Sequence, residues 1–75
     1  MFKIANNLKM LGRRYEFITI DEELNLYRIV TGSTIITIDL HDPKHKEYII
    51  SNPRLGTMTY KSEKGIVNRL WDLYR

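Results

Sequence analysis

The hydrophobic and polar positions of this chain switch period several times, and each switch marks an element. Residues 2 to 11, FKIANNLKML, repeat apolar side chains at helical spacing (Ile4, Leu8 and Leu11, flanked by Phe2 and Ala5). This pattern predicts a short amphipathic helix ending at Gly12. Tyr15 to Ile20, YEFITI, changes to the β-rich composition of a strand. Asp21-Glu22-Glu23 reads as a polar turn. The next stretch, Asn25 to Leu40, NLYRIVTGSTIITIDL, reads as a β-hairpin around which the rest is organised.

The hairpin can be set in register from its turn. Gly followed by a small polar residue suits a two-residue loop at Gly32-Ser33, because glycine accepts φ > 0 without a Cβ clash. Thr31 then faces Thr34, Ile29 faces Ile36 and Tyr27 faces Ile38. Opposed residues share a sheet face. One face therefore collects Tyr27, Ile29, Ile36, Ile38 and Leu40. The other collects Leu26, Arg28, Val30, Ile35, Thr37 and Asp39, with Arg28 diagonal to Asp39. A slip of one residue would scramble this sorting.

Beyond the hairpin, HDPKHK (41 to 46) is a loop, with Pro43 unable to donate to a ladder and Asp42 placed to cap a single helical turn. EYIIS (47 to 51) reads as a fourth strand and NPRLG (52 to 56) as a turn. Met58-Thr59-Tyr60 either adds a short strand or leads into the last helix. SEKGIVNRLWDLYR (62 to 75) is a second helix, with Ser62 as N-cap, an apolar stripe through Ile66, Leu70 and Leu73, and Trp71 as a core anchor.

The expected fold class is α+β: a single domain, α-β-β-β-β-α, with an antiparallel meander of three to four strands between two helices. The C-terminal helix should cross the Ile29/Ile36/Ile38 face. The first helix either packs beside it or covers the opposite face. The first strand has two registers. With Glu22-Glu23 as the loop, Tyr15 and Phe17 join the mixed face; with one more loop residue, Phe17 lies opposite Ile29 on the apolar face.

Seventy-five residues bound the stability, since a chain this short buries roughly 60–65% of its unfolded surface. The absence of cysteine removes disulfides and thiolate metal sites and suits a cytoplasmic protein. No apolar run approaches the ~20 residues of a membrane span. The charge of +3 is mild, and the twelve Lys and Arg are spread along the chain.

Candidate chemistry is sparse. His41 and His45 with Asp42 form a ligand-like trio, but Pro43 interrupts the helix that would align the histidines. Asp21, Glu22 and Glu23 sit on a turn rather than in a pocket where their pKa values could separate. The four glycines stand singly, without a phosphate-cradling motif. No enzyme, metal or cofactor is expected.

Two binding readings remain. The first is a protein-interaction module, such as a small inhibitor or regulatory protein of the phage or mobile-element kind, which its cysteine-free, Ile-, Asn- and Lys-rich composition brings to mind. It would bind a protein partner or itself through the mixed face: Tyr15, Phe17, Leu26, Arg28, Val30 and Ile35. The second is a nucleic-acid binder. Tyr15, Phe17 and Tyr48 would stack on bases while Arg13, Arg14, Arg28, Lys44 and Lys46 met phosphates, provided that all share one surface.

Overall fold

A computed structural model describes residues 2–75. Two helices, α1 (Lys3–Met10) and α2 (Glu63–Tyr74), pack on one face of a five-stranded sheet. Its strands are β1 (Glu16–Asp21), β2 (Leu26–Thr31), β3 (Thr34–Asp39), β4 (Glu47–Asn52) and β5 (Gly56–Tyr60). Strand order follows chain order and every pairing is antiparallel, so the sheet is a pure meander. The α+β reading holds. Of the two readings of Met58-Thr59-Tyr60, the structure takes the strand, as part of β5. Among the described residues no helix is long and apolar enough to cross a membrane.

The central hairpin forms in the register that its turn dictates. Thr31 faces Thr34, Ile29 faces Ile36 and Tyr27 faces Ile38. Gly32 sits at φ 56°, in the left-handed region where a Cβ would be strained. The β1–β2 loop is longer than two residues: Glu22 to Asn25 make the turn, Asp21 Oδ1 accepts from Leu24 N–H at 3.1 Å, and Asn25 takes φ 50°. That extra length sets β1 in the second of its two registers, with Phe17 opposite Ile29.

Both helices lie on the apolar face, which answers the open question about α1. Ile4, Ala5 and Leu8 of α1 and Ile66 and Leu70 of α2 are buried together with Ile29, Ile36, Ile38 and Ile50. The two helices meet directly: Trp71 Nε1 donates to Asn7 Oδ1 at 2.7 Å. Asn7 Nδ2 also donates back to the Lys3 carbonyl at 2.8 Å, which explains how this asparagine sits within a helix.

Ser62 occupies the N-cap position of α2 without a side-chain cap bond. The neighbouring Glu63 instead accepts from Ile4 N–H at 3.0 Å, placing a carboxylate at the positive end of α1. Trp71 is half-buried, gripped at its indole nitrogen rather than sunk in the core.

Three polar side chains close the core at the Gly32 end. Asn52 Nδ2 donates to Thr34 Oγ1 at 2.8 Å, Thr34 Oγ1 is hydrogen-bonded to the Tyr74 hydroxyl, and Thr31 Oγ1 donates to the Arg14 carbonyl at 2.8 Å. These bonds let Thr31, Thr34 and Asn52 be buried without orphaned polar atoms.

Candidate interaction surface

With both helices on one side, none of the described residues forms an element over the other side of the sheet. The pairings lay it out in rows. One row runs Glu16, Val30, Ile35, Ser51, Thr57. The next runs Ile18, Arg28, Thr37, Ile49, Thr59. A shorter one runs Leu26, Asp39, Glu47. Ile35 lies on the central strand and is nonetheless 41% exposed, while its neighbour Ile36 is fully buried. Ile18 is 36% exposed, and Leu26, Val30 and Ile49 are half-buried. Together they make an apolar strip of β-branched and aliphatic side chains across the open face.

The strip carries its own charge pattern. Glu16, Asp39 and Glu47 stand toward its ends and Arg28 near its middle. This face is therefore acid-rich on a chain whose total charge is +3. Arg28 is diagonal to Asp39, as the hairpin register requires, but the two do not close into an ion pair. Among the described residues the ion pair formed is Arg69–Asp72, at 3.8 Å on the surface of α2.

Of the six residues expected on this surface, Leu26, Arg28, Val30 and Ile35 are brought together there. Tyr15 and Phe17 are not. The longer β1–β2 loop turns Phe17 to the helix side, where it stacks on Phe2 at 5.9 Å and packs against Tyr27 at 5.7 Å. Tyr15 packs against the core from the same side. In their place the register supplies Ile18 and Ile49. Ile49 shares Arg28's row through β3 and β4, a pairing that the turn signal at Gly32 does not reach.

The nucleic-acid set is dispersed. Arg13 lies over the Tyr74 ring at 4.1 Å, and Arg14 is at the Gly32 end. Arg28 is on the open face, and Lys44 is in the loop at the far end, where Asp42 Oδ1 accepts its N–H at 3.0 Å. Tyr48 is 7% exposed on the helix side, so its ring has no face for a base to stack on. His41 and His45 are exposed loop residues, and the described residues hold no cluster of three or more metal-ligating side chains.

Lys46 and Tyr48 do meet, in an open hollow of about 400 Å³ beside the first turns of both helices, with Lys3, Lys61 and Lys64. Glu63 lies within this ring of lysines, so the chain supplies the hollow with its own carboxylate. Burial, and secondarily the nearby Glu63 charge, raises the Tyr48 phenol above its usual pKa of 10.0.

No family model, curated protein or solved structure matches the chain.

Proposed function

We propose that this protein is a non-catalytic binding module that docks a protein partner on its open sheet face. The observation that carries the reading is the aliphatic strip of exposed Ile18 and Ile35 with half-buried Val30 and Ile49, on the side of the sheet away from both helices. Burying such a strip is worth roughly 25 cal/mol per Å² of apolar surface removed from water. An exposed apolar face rimmed by polar groups is a common mark of an interaction site.

Charge selects the kind of partner. Glu16, Asp39 and Glu47 around the strip favour an apolar protein surface edged by Lys or Arg, with a carboxylate opposite Arg28. The same acids repel a phosphate backbone, which weighs against nucleic acid on this face. A regulatory or inhibitory role is the use of such a module that needs no further chemistry.

The test is the double substitution Arg28→Glu with Ile35→Lys. Both side chains are exposed, so far-UV circular dichroism should be unchanged. A protein captured from the native host by the wild-type chain should be lost by the double variant and retained by Lys44→Glu, which alters charge in a loop off the strip. Equal capture by all three proteins would refute the reading.

A further inference from the structure

The sheet has two edges, and they are not alike. At β5, helix α2 approaches closely: Gly65 lies against Tyr60, and Arg69 Nε donates to the Tyr60 hydroxyl at 2.7 Å. At β1, Glu16 to Ile20 are all exposed, and among the described residues β2 is the strand's one neighbour in the sheet. The segment Phe17-Ile18-Thr19 contains no Lys, no Pro and no charge, three of the devices that blunt an edge, and the bulge that ends it comes only at Thr19/Asp21. A row of backbone donors and acceptors therefore points outward along a stretch of high β-propensity.

We propose that β1 pairs with β1 of a second copy of this chain, antiparallel about a twofold axis, so that one continuous sheet runs through both copies. This goes beyond the docking face and does not rest on it. The choice of occupant comes from the charges that bracket the strand. Arg13-Arg14 precede it, Asp21 ends it and Glu22-Glu23 follow, while Glu16 at its start is the one acid at the basic end. An antiparallel copy sets the basic end of each strand beside the acidic end of the other, and does so twice. A parallel copy would set like beside like.

Arg13 is already stacked on Tyr74. Arg14 is exposed and is the residue that makes the match.

Register follows from the pleat. Opposed residues must share a face, so the axis passes beside a residue rather than between two. Centred on Ile18, the pairing sets Ile18 against Ile18 and Phe17 against Thr19, and brings Arg14 toward the Asp21-Glu22-Glu23 end of the second copy. Centred on Thr19, it moves Glu16 toward the acidic turn of the second copy, acid toward acid. The bulge between Thr19 and Asp21 ends the regular edge, so Phe17, Ile18 and Thr19 form the contact and the charged ends flank it.

Sedimentation equilibrium of the full chain tests this. Wild type should show a reversible species of twice 9.0 kDa that weakens with salt. Arg14→Glu should weaken dimerisation roughly tenfold, and adding Glu22→Arg with Glu23→Arg should restore it. The chain has no cysteine, so single cysteines report the register. Ile18→Cys should oxidise to a covalent dimer, whereas Ile35→Cys, comparably exposed on the same side of the sheet, should not. A monomer at every concentration, a dimer indifferent to Arg14→Glu and its reversal, or equal cross-linking through Cys at 18 and 35 would each overturn the proposal.

Discussion

Ile35 and Ile36 are adjacent, chemically identical and on the same central strand, yet they belong to different environments. Ile36 lies under two helices with no exposure, and Ile35 faces outward at 41%. The pleat alone separates them, because successive side chains of a strand point to opposite faces. The pair shows that an isoleucine's role in a small sheet depends on the parity of its position. It also shows how a chain of ordinary apolar content can leave a greasy surface open: both helices roof one side.

The largest expected effect sharpens that contrast. Ile36→Ala should cost about 2–5 kcal/mol in urea unfolding, through lost burial and the cavity left behind. Ile35→Ala should lie within about 0.5 kcal/mol of wild type. Equal costs would mean that something covers the outer face.

Next comes the join between α2 and the sheet. A Cβ on residue 65 would stand 2.9 Å from Tyr60 Cβ and closer still to the ring. Gly65→Ala should therefore destabilise by about 1–3 kcal/mol through overpacking, and Tyr60→Ala in the same chain should relieve part of that penalty. A smaller loss, about 0.5–1.5 kcal/mol, is expected from Asn7→Ala, which leaves the Trp71 indole N–H without its acceptor.

The smallest effect is absent at neutral pH. The Tyr48 phenol is raised above 10.0 by burial and then by Glu63, so the unfolded chain loses this proton first. Stability is then full below pH 10 and falls as pH climbs from there through the folded-state value. Tyr48→Phe should match wild type at pH 7 and lack this component of alkaline loss in chemical unfolding.

What the sequence made legible was whatever a local signal controls. Gly32-Ser33 set the hairpin register, and the register sorted Leu26, Arg28, Val30 and Ile35 onto one face. The 3.6-residue stripes gave both helices. What it left open was set at longer range. The faces of Phe17 and Tyr15 depended on whether the loop before Asn25 held two residues or more, and no single residue there decides it. The side taken by α1 depended on partners far along the chain: Glu63 for the Ile4 amide and Trp71 for Asn7. Ser62 carried a capping signal, but the acid beside it was drawn to the other helix.

Gly65 and Tyr60 together have a bearing on ancestry. The helix reaches the sheet there because one residue has no side chain and the other fills the space with a ring. Chains descended from a common ancestor with this packing should therefore change the two positions in concert, a bulkier residue at one appearing with a smaller residue at the other. Such a correlated pair could reveal kinship where overall resemblance has faded.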